Sequence, residues 1–304
     1  MIPDVVANLA CPTCGGAMAR DDHSLVCDSG HRVDLARQGY ATLMSSRASH
    51  AADDVGMIEA RARFLAAGWY EPIAARVADI VAEAATPRRG EAAAAASEVA
   101  PFIVDAGGGT GWWLARALER LTASSVVGVG LTLDLSRPAV VRAARAHPSA
   151  SAVRCDVWSA WPLRDAVADV VMTVLAPRNP AEARRIVRGD GAVAVVTPGP
   201  NHLGELVADG ILVTVESDKR RRLLDQFAPW FRPLSSEPVE WTMTLDPQGL
   251  RDLVAMGPSA HHAAHRASLQ PDDERAVEVT AAFVIDTFVP REITVNDGSV
   301  PHVG

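Results

Sequence analysis

Four residues near the start, Cys11, Cys14, Cys27 and His31, constrain this chain more than any other feature. Their spacing is Cys-x2-Cys, twelve intervening residues, then Cys-x3-His. Three soft thiolates and an imidazole at those separations suit a closed tetrahedral Zn²⁺ site built from two knuckles. Pro12 and the Gly15-Gly16 pair supply a turn tight enough for two thiolates to converge on one ion. His23 competes with His31 as fourth ligand, but it falls in the middle of the span, where it is less well presented. Ordinary buried cysteines are the alternative. That reading leaves unexplained why three of only four cysteines fall at ligand spacing. A unit this small cannot bury a core of its own and depends on metal for its fold.

The chain has 304 residues, room for one medium domain behind such a head. A hydrophobic content of 48% supports a sizeable core, and 22% charged residues is ordinary for a soluble protein. No uncharged apolar run reaches about 18 residues, so no membrane span is expected. The N-terminus lacks a basic stretch followed by an apolar one, which predicts a cytoplasmic protein. Cysteines placed for metal fit a reducing compartment and leave only Cys155 over. A formal net charge of −8 weighs against a protein coated in nucleic acid. Any polyanion must therefore meet a local basic surface.

The pattern along the chain divides it into residues 1–45 as the metal module, 46–100 as a helical connector with an alanine-rich linker, 101–290 as an α/β domain, and 291–304 as a tail expected to be disordered. Strand-like pieces around Ser24-Leu25-Val26 and Arg32-Val33-Asp34-Leu35 flank the second knuckle. From Asp53 to Glu83 apolar residues recur at helical spacing, interrupted at Gly68-Trp69-Tyr70-Glu71-Pro72, with Pro72 suited to a first helical turn. After Pro101 strands are predicted at 102–104, 126–131, 152–154, 168–175 and 192–197, alternating with helices at 112–121, 138–146 and 181–187. That alternation argues for a parallel sheet covered on both faces. Residues 203–227 read as mainly helical and carry the basic cluster Lys219 to Arg222, more at home on a solvated helix face than as a phosphate clamp. Alternating strands at 239–245 and 277–289, with a helix near 248–255 between them, suit an antiparallel pair closing one edge.

The loop Asp105-Ala106-Gly107-Gly108-Gly109-Thr110-Gly111 joins the first strand of that domain to its helix. Its form, Asp-x-Gly-x-Gly-x-Gly, departs from the dinucleotide pattern Gly-x-Gly-x-x-Gly, in which a helix N-terminus is aimed at a pyrophosphate. An acid at the strand end repels phosphate but suits a cationic methionine ammonium, while Gly107, Gly109 and Gly111 let the backbone pass close to a nucleoside. Asp134 follows the second strand, where a carboxylate can take both ribose hydroxyls. Asp156 follows the third, placed to accept from an adenine amino group, with Val157 beside the ring. Three acids at three successive strand ends converge on the carboxyl edge, where open α/β sheets bind ligands. The combination favours S-adenosylmethionine over NAD as cofactor.

These pieces together resemble the bacterial 23S rRNA (guanine-N1)-methyltransferases, in particular the tylosin-resistance-type branch, over nearly the whole chain. The resemblance is carried by the zinc spacing, Asp34 to Tyr40, Ala60 to Leu65, Gly68 to Pro72, Asp105 to Gly111, Leu133 to Arg137, Ala176 to Pro180 and Thr197 to Leu203. It implies a class I (Rossmann-like) methyltransferase sheet, mostly parallel with an antiparallel edge pair, behind a small zinc-binding RNA-recognition module. It implies methylation at N1 of a guanine in the helix 35 hairpin loop of 23S rRNA, macrolide resistance of the tylosin type, S-adenosylmethionine as cofactor, structural zinc and a homodimer. No DNA or membrane partner is implied. Carried over by position, it assigns zinc to Cys11, Cys14, Cys27 and His31, and cofactor contacts to Tyr70, Trp113, Leu114 and His202. The Trp112-Trp113 pair, Ala106 and the long alanine-rich linker depart from the family pattern, and none of them removes a ligand.

Guanine N1 carries a proton and is a weak nucleophile, so some group must take the proton or stabilise O6 as negative charge develops there. Arg178 and Asn179 are the candidates in the loop after the fourth strand, Arg178 facing O6 or a phosphate and Asn179 reading the base edge. The other reading of Ala176 to Pro180 is a rigid turn. His202 is either a base or a residue packed over the cofactor. Trp69 and Tyr70 are expected either in the core or stacked on a nucleotide or adenine. Arg20, Arg32, Arg37, Arg47, Arg61 and Arg63 line an RNA groove only if they cluster on one face. N1 lies on the Watson–Crick edge, so the target guanine must be unpaired or flipped out. A small-molecule methyltransferase and a non-catalytic rRNA-binding assembly factor are the rival classes. A zinc hydrolase is excluded by a closed metal site with no open position.

Overall fold

A computed structural model of the chain describes residues 1–44, 50–86, 100–212, 219–257 and 275–292. The alanine-rich linker expected at 86–100 and the expected tail lie almost wholly outside the described residues, as does Arg47. The head begins with α1 (Pro3–Val6) and a three-stranded antiparallel sheet of β1 (Met18–Asp21), β2 (Ser24–Cys27) and β3 (Arg32–Asp34). It ends in β4 (Ala41–Thr42), which leaves the head and pairs in parallel with a strand of the large sheet.

Two helices follow, α2 (Val55–Ala66) and α3 (Glu71–Ala85). The Asp54 side chain accepts from the Met57 N–H at 2.9 Å and starts α2, and Pro72 stands in the first turn of α3. Then come β5 (Phe102–Ala106), α4 (Trp112–Ala123), β6 (Val129–Asp134), α5 (Arg137–Ala143), β7 (Ala150–Arg154), β8 (Ala168–Val174), α6 (Pro180–Ile186) and β9 (Val187–Pro198). The chain continues through α7 (Gly204–Ala208), α8 (Lys219–Phe227), β10 (Phe231–Leu245), α9 (Pro247–Met256) and β11 (Val277–Pro290).

Eight strands form one sheet in the order β10-β11-β9-β8-β5-β6-β7-β4. Only β11 runs against the others, because it is antiparallel to both β9 and β10. The expected mostly parallel sheet with an antiparallel hairpin at one edge is what the strands form. Chain order reverses at β5, which has β6 on one side and β8 on the other. That is the switch point at which such sheets open a ligand crevice.

Alternation along β5 sends Ile103 into one core layer with α3, α4 and α9, and Phe102 and Val104 into the other. The second layer also contains Val5, Leu9, Cys11, Leu25 and Cys27. The metal head therefore shares a core with the central strands.

Several boundaries differ from the sequence expectation. Val126 and Val127 are not strand: the Val126 N–H still closes the end of α4 on the Leu121 carbonyl at 3.0 Å, and Val127 is 72% exposed. β10 starts at Phe231, well ahead of the expected Val239, and runs through Pro233 and Pro238. An edge strand tolerates proline because one row of its N–H groups faces solvent. The expected helix over 203–227 is α7 and α8, with 213–218 between them outside the described residues. Among the described residues no helix is long and apolar enough to cross a membrane.

Candidate active site and metal centre

The metal centre is built by two hydrogen-bonded knuckles. The Gly15 N–H donates to the Cys11 carbonyl and the Cys11 N–H to the Gly16 carbonyl, both at 2.8 Å. In the second knuckle the Gly30 N–H donates to Cys27 at 2.8 Å, and the Cys27 N–H to His31 at 3.1 Å. These turns bring one ligand atom each from Cys11, Cys14, Cys27 and His31 within 4.8 Å of one another. Cys14 Sγ and Cys27 Sγ are 3.7 Å apart, and Cys27 Sγ is 3.4 Å from His31 Nδ1. Tetrahedral bonds at ordinary Zn–S and Zn–N lengths place neighbouring ligands about 3.5–3.8 Å apart, so the donor set fits Zn²⁺. The Thr13 and Cys14 amides outweigh burial and hold Cys11 down at about 7, toward the thiolate a metal requires. His23 stands outside the cluster, exposed on the β1–β2 turn beside Asp22.

At the switch point the glycine loop folds back over the end of β5. The Asp105 side chain is fully buried, and neither carboxylate oxygen has a hydrogen-bond partner among the described residues. Burial, with Asp134 nearby, pushes its carboxyl up to about 8. Gly107 has φ +74°, and a Cβ there would press on Ala176 of the neighbouring loop at 2.6 Å. A Cβ at Gly108 would strike the Asp105 carboxylate itself. The loop therefore needs glycine for close approach, and it leaves a bare acid beneath it.

Asp134 accepts from the Gly109 N–H at 2.9 Å and the Ser136 N–H at 2.8 Å. Each oxygen keeps a second lone pair for a ligand hydroxyl. Asp156 is buried; one oxygen accepts from the Trp158 N–H at 3.0 Å and the other lies 3.6 Å from His50 Nδ1. Leu114 is fully buried against Gly130, so only its backbone N–H is available to a ligand. That amide and the one of Trp113 belong to the first turn of α4, where helix geometry leaves N–H groups without intrahelical acceptors. Gly109 and Gly111 complete the loop, and Gly111 serves as the left-handed N-cap of α4.

Tyr70 is buried in an aromatic cluster, its ring meeting Phe64 at 4.9 Å, Phe283 at 5.1 Å and Trp113 at 6.4 Å. Burial pushes its phenol well above the ordinary value. His202 lies 6.4 Å from Tyr70 and 4.4 Å from Phe283. Its Nδ1 accepts from the Ala282 N–H at 3.2 Å, which leaves the ring proton on Nε2. Burial pushes His202 down to about 4, so the ring is neutral at pH 7 and offers a donor. It has no free ring nitrogen with which to take a proton, which removes the general-base reading.

The loop after β8 separates the two acceptor-side candidates. Asn179 is committed: its carbonyl oxygen caps α6 by accepting from the Glu182 N–H at 3.2 Å. Its amide nitrogen faces the Val157, Trp158 and Ser159 carbonyls at 3.3–3.4 Å. Both ends of the Asn179 amide thus hold the loop together, and its carbonyl oxygen keeps one lone pair over. Arg178 is half-buried and makes no hydrogen bond or ion pair among the described residues. Desolvation lowers its pKa. Just before it, Leu175 has φ +53°, a strained conformation for leucine, and is 41% exposed.

Four of the arginines that would line an RNA groove if clustered on one face have partners within the protein. Arg61 pairs with Asp53 at 2.7 Å and donates to the Met256 carbonyl at 2.9 Å. Arg63 holds Asp252 with a two-pronged contact, Arg32 pairs with Asp21, and Arg20 donates to backbone carbonyls. Sequence reading missed the Asp53–Arg61 pair above Gly109, His50 and Trp158. Only Trp158 carried a signal, as an indole two residues past Asp156.

A buried acid under a glycine loop at the switch point, with a zinc head joined to the sheet, defines a class I methyltransferase architecture carrying a zinc ribbon. Residues 9–50 match the zinc-ribbon family described as RlmA, N-terminal. The chain is 44% identical over 262 residues to the 23S rRNA (guanine(748)-N(1))-methyltransferase of Streptomyces fradiae, covering 86% of this chain and 89% of that one. A Micromonospora griseorubida protein to which 23S rRNA guanine-N1 methylation is ascribed is 43% identical, covering 95% of this chain and all of its own length. YxjB of Bacillus subtilis, ascribed the same activity, is 30% identical over 83% of this chain and 86% of its own. The chain belongs to the 23S rRNA (guanine-N1)-methyltransferase family.

Proposed function

We propose that this protein methylates N1 of a guanine in the helix 35 hairpin loop of 23S rRNA, using S-adenosylmethionine, and thereby confers resistance to tylosin-type macrolides. The observation that carries the cofactor is Asp105, a fully buried carboxylate with no hydrogen-bond partner among the described residues. Such a group is costly unless a cation completes it, and a methionine ammonium is the cation that suits a nucleoside crevice. When bound, S-adenosylmethionine supplies a methyl group already activated on a sulfonium. The chain's residues then bind and orient. Asp105 meets the ammonium, the first-turn amides of α4 at Trp113 and Leu114 donate to the carboxylate, Asp134 takes the ribose hydroxyls, and Asp156 bounds the adenine. Tyr70 and His202 wall the opposite side.

On the acceptor side, Arg178 faces guanine O6 and stabilises the negative charge that grows there as N1 attacks. The N1 proton passes to solvent. Residues 1–45 grip the hairpin, the body performs the transfer, and the enzyme works as a cytoplasmic homodimer. Exchanging Arg178 for Ala is expected to lower kcat on the order of 10²-fold, with cofactor affinity retained; near-wild-type turnover rules out this role. The site assignment is tested by primer extension on 23S rRNA from a host with and without the protein. One new reverse-transcriptase stop at a helix 35 guanine, with a raised tylosin tolerance, is expected. No stop, or a stop elsewhere, overturns it.

A further inference from the structure

The rim of the crevice carries an indole that no step above uses. Trp158 is 51% exposed, although burying a side chain that large is ordinarily favoured. Its loop is tied down from several directions. The Trp158 N–H donates to Asp156 Oδ1 at 3.0 Å, and its carbonyl faces the Asn179 amide nitrogen at 3.3 Å. The neighbouring Val157 carbonyl accepts from the Trp161 indole N–H at 2.9 Å. A rigid mount thus holds an apolar ring out in solvent, between the acid that bounds the adenine and the loop that presents Arg178. The His50 ring lies 5.7 Å away at 35°. On the tied loop Leu175 is exposed and strained, and Arg178 is a cation without a partner among the described residues.

We propose that Trp158 is a stacking platform for an unpaired nucleobase of the substrate RNA hairpin, at the mouth of the methyl-transfer crevice. The inference rests on the rRNA-methylating reading and names how that substrate is held. Charge favours stacking over phosphate contacts as the source of grip. The chain carries a net charge of −8, and Arg32, Arg61, Arg63, Arg76 and Arg185 are taken up by carboxylates of the same molecule. An aromatic face holds a single-stranded base without needing net positive charge.

The test uses the full zinc-loaded chain and a transcript of the 23S hairpin, with 2-aminopurine placed at each loop position in turn. W158A and W158L are expected to weaken hairpin binding roughly 5- to 150-fold, the range that base–aromatic stacking supplies. W158F is expected to recover most of the loss. Quenching of 2-aminopurine at one loop position disappears in W158L and returns in W158F, while calorimetric affinity for S-adenosylmethionine stays at the wild-type value. Unchanged hairpin affinity in W158L overturns the proposal. So does a loss of cofactor affinity matching the loss in RNA binding, which would make the indole an adenine shield. Methyl transfer by the wild-type protein reports on the parent reading alone, because binding and quenching need no turnover.

Discussion

In the proposed cofactor site Asp105 is the residue that meets the ammonium, and its protonation gives a signed prediction. Its pKa is near 8 in the fold against 3.8 in a free chain, so the folded state holds the extra proton between those values. Stability of the ligand-free protein is therefore fully present below about pH 4 as far as this group is concerned, and its contribution declines as pH rises toward 8. A bound ammonium stabilises the carboxylate and expels that proton. Calorimetry at pH 7 in buffers of different ionisation enthalpy should show net proton release on binding S-adenosylmethionine, with affinity rising toward about pH 8 and falling above it as the methionine ammonium loses its own proton. D105N should abolish the proton release and weaken binding at least about tenfold, since a charge-assisted contact is worth roughly 1.5–3 kcal/mol. Equal proton release in D105N would show that another group titrates.

The loop–helix unit at α6 shows why some of the site was legible in the sequence and some was not. Ala176 to Pro180 was recognisable as a turn with a catalytic candidate inside it. That Asn179 ties the loop down depends on carbonyls some twenty residues earlier, at 157–159, and no local pattern encodes them. N179A removes the α6 cap and the ties to that loop together. It should cost about 1–2 kcal/mol, seen as a lower denaturant midpoint, and it should lower RNA affinity more than cofactor affinity.

The same contrast separates elements elsewhere. The break between α2 and α3 was readable because Pro72 sits in a first turn, and the knuckles because ligand spacing is a local property. β4 is only two residues long and gains its identity from pairing with Val153 and Arg154, far along the chain. The early start of β10 was hidden by Pro233 and Pro238, which an edge position tolerates. His202 was singled out by position, but its tautomer follows from the Ala282 amide, a partner 80 residues away.

In the whole molecule the head and the body share one hydrophobic core. Leu9 bridges to Leu163, the Ala10 N–H donates to the Pro162 carbonyl at 3.1 Å, β4 extends the large sheet, and the Val5–Leu25 core continues into β5 and β6. Chelating the metal, or H31A, should therefore shift one calorimetric transition downward, because the zinc energy is folding energy for the shared core. A separate low-temperature transition that leaves the main one unmoved would mean an independent head.

The joined head and crevice make one chemical claim: the product is a guanine methylated at N1. The most direct measurement incubates the zinc-loaded protein with 23S rRNA and methyl-labelled S-adenosylmethionine, digests the RNA to nucleosides and separates them by liquid chromatography with mass detection. All label is expected in 1-methylguanosine, close to one per rRNA. Label in any other nucleoside, or none in RNA while the cofactor binds, would contradict the account.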